Sequence, residues 1–168
     1  MKKSNLPYIV FILINVAIAI SCYYYPVSRD SFYYINKNNG PSPFLEYYNS
    51  YHTVNPRIGQ FFANLVSRNK FLVVLFGVLL FNSFISVLFL NIYRKFPDLR
   101  QVDELRKFLW LSGFFIFFIN YFGEMFYYTP YSTNYTLTHV FYLFYVFVIS
   151  DYYLDGNKSF IKKIPFFL

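Results

Sequence analysis

The sequence predicts an all-α integral membrane protein, with about four transmembrane helices and an interfacial amphipathic helix set in a long first outer loop. Three observations lead there. Of 168 residues, 57% are hydrophobic and only 14% are charged, whereas roughly a quarter charged is usual for a soluble domain. Apolar stretches near the ~20 residues needed to cross a bilayer occur over about 6–25, 71–92, 108–128 and 135–154. The basic residues are also distributed as in a multi-pass protein.

The net charge of +7 raises nucleic acid as a partner, but its placement points to topology instead. With a cytoplasmic N-terminus, Lys2, Lys3, Arg94, Lys95, Arg100, Arg106, Lys107, Lys158, Lys162 and Lys163 lie inside. Arg29, Lys37, Arg57, Arg68 and Lys70 lie outside, in or beside a long loop where the positive-inside rule is weak. Both termini are predicted to be cytoplasmic, in a plasma (inner) membrane, with the bilayer rather than nucleic acid as partner. The aromatic content of 26% carries little functional weight. Phe, Tyr, Asn, Ile and Lys are abundant together, as codon bias in an AT-rich genome produces. The single cysteine, Cys22, excludes an internal disulfide.

Lys2 and Lys3 before an apolar run allow a cleaved signal peptide, and Ala19-Ile20-Ser21-Cys22 resembles a lipoprotein cleavage site. Apolar residues continue through Tyr25, so a retained first helix is expected, with Tyr23, Tyr24 and Tyr25 as its outer anchor.

The outer loop spans 26–69, and Asn38-Asn39-Gly40-Pro41-Ser42-Pro43 marks a turn within it. A loop this long is usually functional or disordered, and its many Tyr and Phe residues argue against disorder. A surface helix over 56–68 closes it: Asn55 suits the N-cap and Pro56 the first helical position. Ile58, Phe61, Phe62, Leu65 and Val66 share one face, opposite Arg57, Gln60, Asn64, Ser67 and Arg68. That is the pattern of a helix lying flat on lipid.

In the second span Asn82 and Ser86 share a face, which suits interhelical hydrogen bonds. The mixed charges over 93–107 read as a solvated connector facing lipid headgroups. The third span runs uncharged from Phe108 until Glu124, near the outer edge of the hydrocarbon. An acid at that depth is a functional candidate, with a solvated boundary residue as the alternative. A short outer connector then returns Ser132-Thr133-Asn134-Tyr135 to the surface of the first loop. His139 follows in the last span, as an interhelical donor or a base.

The sequence contains no nucleotide loop, CxxC, HExxH or Gly-x-Ser-x-Gly motif. His52 and His139 lack metal-ligand spacing, which disfavours zinc. The chemistry rests on Asp30, Glu46 and Glu124 with Arg57. A carboxylate at the membrane face suits a general base on a sugar hydroxyl, or a ligand holding a divalent metal against a diphosphate; the cofactor stays open between that metal and none. Arg57 suits a lipid phosphate, because its planar fork donates two hydrogen bonds.

Asp30-Ser31-Phe32-Tyr33-Tyr34 opens the outer loop, Asn55-Pro56-Arg57-Ile58-Gly59-Gln60-Phe61 leads a surface helix, and Ser132-Thr133-Asn134-Tyr135 follows the third span. In this order they resemble the N-terminal part of multi-spanning membrane glycosyltransferases of the GT-C fold, and a related bacterial membrane family of unknown function. The resemblance covers about residues 6–145. It implies a polyprenyl-phosphate-linked sugar as donor, envelope glycan as product, Asp30 as catalytic base or metal-side acid, and Arg57, Asn134 and Tyr135 in the substrate site. Glu124 joins Asp30 as a catalytic candidate on its position alone. That family has two adjacent acids where this chain has Arg29-Asp30-Ser31, and its members are several times longer, so a truncated, split or degenerate member is implied. The alternative from another class is a non-catalytic membrane subunit, whose outer loop and aromatic surface contact a larger partner complex. A transporter component is disfavoured, since only the last span carries an ionisable group well inside it.

Overall fold

The computed structural model describes residues 5–26, 42–51 and 58–153. Among them all regular structure is helical: α1 (Leu6–Tyr24), α2 (Pro43–Tyr51), α3 (Ile58–Ser67), α4 (Lys70–Tyr93), α5 (Val102–Phe118), α6 (Phe122–Phe126) and α7 (Thr129–Tyr131). The last passes through a π-helical turn, Ser132–Thr136, into α8 (Leu137–Tyr153).

Two helices, α1 and α4, are long and apolar enough to cross a membrane. Neither is wrapped by protein, because only 17% and 33% of their apolar windows are buried. The 19 residues of α1 open with Pro7 in the first turn, where a missing N–H costs nothing. The 24 residues of α4 are fixed at both ends. Asn69 Oδ1 accepts from the Phe71 amide at 2.8 Å. Arg94 closes the helix in the left-handed region, φ 57°, its amide donating to the Leu90 carbonyl at 2.9 Å.

The chain runs up and down, with α4 packed against α1, α5, α8 and α3. At one end Tyr8 Oη donates to the Arg100 carbonyl at 2.8 Å, and Arg94 Nη2 to Ser150 Oγ at 2.7 Å. At the other, Lys70 Nζ donates to the Tyr23 carbonyl at 3.2 Å. Between them lies a core of Ile18, Cys22, Phe81, Phe84, Ile85, Phe89, Phe108 and Phe126. Phe126 is its hub, with ring centroids 5.5 Å from Phe81, 5.8 Å from Phe84 and 4.9 Å from Phe122. Gly77 sets the α1–α4 separation: a Cβ there would overlap Cys22 Sγ and lie 3.3 Å from the Phe126 carbonyl oxygen. Asn82 Nδ2 donates to Asn15 Oδ1 at 2.6 Å, and Asn91 Nδ2 to the Leu143 carbonyl at 3.1 Å. Asn82 thus makes the interhelical bond expected of it.

Three expectations about the helices are corrected. The stretch 108–128 is not one helix, since α5 starts at Val102, ends at Phe118, and gives way to extended backbone at Ile119 before α6. The early start comes from Asp103 and Glu104, which suit the positive end of a helix dipole. The 93–107 connector is correspondingly folded rather than merely solvated. Glu104 is buried there, accepting from the Asp98 amide at 2.6 Å and from Lys95 Nζ. The Lys95 hydrogen bond, seconded by the Asp98 amide, holds the Glu104 carboxyl below its ordinary pKa of 4.5.

The third correction concerns the faces of α3: its buried stripe is Gly59, Ala63, Asn64 and Val66, which takes in Asn64 from the face expected to be polar, while Ile58 is exposed as a lipid-facing residue would be. Gly59 and Ala63 present almost no side chain, which lets the α3 backbone approach its neighbour closely. Hydrophobic periodicity registers side-chain size and polarity, and so did not mark this as the contact face.

Candidate functional site

The end of the bundle formed by α2, α3, α6, α7 and the π-turn gathers most of the predicted site that falls among the described residues. The π-turn follows from the hydroxyl-rich sequence. Ser132 Oγ and Thr133 Oγ1 donate to the Thr129 carbonyl at 3.0 and 2.9 Å, competing with the ordinary ladder. The Leu137 amide reaches the Ser132 carbonyl five residues back. Such π-bulges are frequent at functional sites.

The bulge presents Asn134 to Gly59 of α3. A Cβ on Gly59 would lie 2.7 Å from Asn134 Cα and 2.8 Å from its Cγ, so only glycine fits. Asn134 Nδ2 donates to the Pro130 carbonyl at 2.8 Å. Two stretches singled out separately in the sequence, one around Gly59 and one around Asn134, therefore touch. Thr136 Oγ1 donates to the Met125 carbonyl at 2.7 Å, tying the same turn to the helix that carries Glu124.

Glu124 sits in the first turn of α6, partly buried, and makes no side-chain hydrogen bond or ion pair with another described residue. Tyr135 is exposed, its ring 4.8 Å from that of Tyr131. Asp30 and Arg57, like His52, lie outside the described residues. His139 is exposed, and its Nδ1 lies 2.7 Å from the Tyr135 carbonyl. Because a carbonyl only accepts, Nδ1 carries the proton, and the histidine's bond is within its own helix rather than between helices.

Glu46, grouped in the sequence with the outer acids, is already engaged. Its Oε2 accepts from Asn64 Nδ2 at 2.7 Å and lies 3.8 Å from Arg68 Nη2, while Arg68 Nε donates to Asn64 Oδ1 at 2.9 Å. With Phe44 and Tyr47 packed on Phe61 at 5.0 and 5.5 Å, this network clasps α2 to α3. Sequence reasoning assigned Asn64 and Arg68 to a polar outer face. Their spacing, i and i+4, was the available sign of a shared network.

No family model, curated protein or solved structure matches this chain. Its chemistry is therefore read from its own side chains. Among the described residues no group of three or more His, Cys, Asp and Glu is placed to hold a metal. Beside the Gly59–Asn134 contact, the carboxylate of Glu124 can accept from a hydroxyl group and the hydroxyl of Tyr135 can donate to a phosphate.

Proposed function

We propose that the chain is a multi-pass integral membrane protein, and that its π-turn end binds a polyprenyl-phosphate-linked sugar on the outer face, as an envelope glycosyltransferase or a piece of one. The membrane reading draws on helices that stay uncovered: Ile9, Ile12, Leu13 and Val16 of α1, Leu75 and Leu79 of α4, Trp110, Phe114 and Phe117 of α5, and Phe141, Tyr142 and Tyr145 of α8 are all exposed. Contiguous apolar surface beyond a few hundred Å² is rare on a soluble monomer. The orientation draws on Arg94, Lys95, Arg100, Arg106 and Lys107 at one end, against Arg68 and Lys70 at the other. On this reading both termini are cytoplasmic, and the run of α5 from Phe108 and α8 are the third and fourth spans. The uncharged run of α5 from Phe108 to Phe118 reaches about 16 Å and is followed by α6, while the 17 residues of α8 reach about 25 Å and are extended by the helical run from Thr129.

The single observation that carries the catalytic part is the contact of Gly59 with Asn134, which joins two of the three stretches resembling the GT-C enzymes. Transfer from a polyprenyl-phosphate sugar in proteoliposomes tests it. Wild-type transfer that falls about 10²–10⁴-fold in Asp30→Asn or Glu124→Gln supports a general acid or base at that position. Unchanged transfer in a variant removes that residue from the mechanism.

A second reading, a non-catalytic membrane subunit, is favoured by a specific observation. Ser132, Thr133 and Asn134 direct their hydrogen bonds to their own backbone, while α5 displays Trp110, Phe114, Phe117 and Phe118 side by side to its surroundings. Absence of transfer by the wild type, with retention of partner proteins on gentle solubilisation, selects this reading.

A further inference from the structure

At the opposite end of the bundle, a groove of about 490 Å³ runs between the N-terminal halves of α1 and α5. Leu6, Pro7 and Val10 form one wall, and Arg106, Leu109 and Trp110 the other. Its volume falls within the ~300–1,000 Å³ of small-ligand sites. The helices flanking it are fixed by Tyr8 on the Arg100 carbonyl and by Phe11, whose ring centroid lies 6.0 Å from that of Phe108. The groove therefore does not close by collapse of α1 onto α5.

Apart from Arg106, every lining side chain is apolar or aromatic. Arg106 and Trp110 are four apart on α5, so their Cα atoms are separated by about one turn, ~6 Å of rise, along the same wall of the groove. Three neighbouring cations are held: Lys95 by Glu104, Arg94 by Ser150, and Lys107 over the Tyr93 ring. Among the described residues Arg106 pairs only with Asp103, three residues back at 3.2 Å, with both side chains more than half exposed. Such a pair is weak, and the guanidinium has further N–H groups to donate.

We propose that this groove binds an anionic phospholipid, its acyl chain along Leu6, Val10, Leu109 and Trp110 and its phosphate on Arg106. The charge at the mouth and the carbon lining below it match the two parts of that one molecule. A basic pocket between helices is a recurrent way to recognise acidic head groups, and the planar guanidinium offers a phosphate two parallel hydrogen bonds. The site rests on the membrane reading of the chain and is independent of any catalytic activity at the other end.

The chain has one tryptophan, so its fluorescence reports from the groove wall. The full chain is reconstituted in phosphatidylcholine vesicles containing rising fractions of dibrominated phosphatidylglycerol or dibrominated phosphatidylcholine, and quenching of Trp110 is followed. The site predicts half-maximal quenching at about fivefold less phosphatidylglycerol, the preference one basic residue gives at an anionic surface. Arg106→Gln removes the preference while leaving quenching by phosphatidylcholine unchanged. Asp103→Asn keeps or raises it, which separates a phosphate contact from a merely structural salt bridge. Equal quenching by the two lipids, or a preference that survives Arg106→Gln or is lost in Asp103→Asn, overturns the proposal. Quenching by neither lipid overturns it together with the membrane reading, whereas equal quenching by both leaves that reading standing.

Discussion

Replacing Gly59 with alanine tests the contact on which the π-turn end of the bundle is built. The added Cβ would sit 2.7 Å from Asn134 Cα and 2.8 Å from Asn134 Cγ, nearer than van der Waals separation. Because Cα belongs to the backbone, a rotamer change at Asn134 relieves only part of the clash. Overpacking of this kind costs about 1–3 kcal/mol. Alanine gains at most ~1 kcal/mol over glycine in a helix interior, and less in a first turn. The net is a loss of about 1–2 kcal/mol. At ~2–4 °C per kcal/mol for a chain of this size, thermal unfolding in detergent should come several degrees earlier. Gly113 supplies the internal control: it lies within α5 with nothing inside 4 Å of a built Cβ. Gly113→Ala should therefore gain up to ~1 kcal/mol and unfold later. Adding Asn134→Ala to Gly59→Ala should recover part of the loss, because Cγ is removed and Cα remains. If Gly59→Ala unfolds as late as Gly113→Ala, α3 does not touch the π-turn, and the site as described is not assembled.

Gly77→Ala should destabilise by about 1–3 kcal/mol through overlap with Cys22 Sγ, and Cys22→Ala in the same chain should restore most of it by differential scanning fluorimetry. Glu46→Gln should loosen α2 from α3 by about 1–3 kcal/mol, since Asn64 and Arg68 lose a charged acceptor, and limited proteolysis should then cut near α2 sooner. Glu104 has its folded pKa depressed, chiefly by Lys95. Its contribution is therefore present in full above the unfolded value of 4.5 and is lost as pH falls through the lower folded value. Unfolding temperature should drop below about pH 4.5 in the wild type, and Glu104→Gln should flatten that part of the profile.

The first and fourth helices were legible because uninterrupted apolar residues cover their whole length, and their observed ends differ from 6–25 and 71–92 by a residue. α5 was harder because hydropathy follows polarity, whereas helix ends follow capping. The charges of Asp103, Glu104, Arg106 and Lys107 looked like a connector, yet Glu104 turns back onto Lys95 and the Asp98 amide and lets the helix start there. At the π-turn end, the sequence suggested both Asn134 and the stretch around Gly59, but their meeting depends on a π-bulge that no periodicity encodes. Glu46 looked free because its partners, Asn64 and Arg68, lie on the following helix.

Labelling from the two sides of the membrane tests the central claim most directly. In a Cys22→Ala background, Tyr135→Cys and Asp103→Cys each present one thiol at an exposed position, at opposite ends of the bundle. An impermeant maleimide applied to intact cells should modify Tyr135→Cys at once and Asp103→Cys only after permeabilisation. Modification of Asp103→Cys alone in intact cells would invert the bundle, and equal modification of both without permeabilisation would contradict its crossing a membrane.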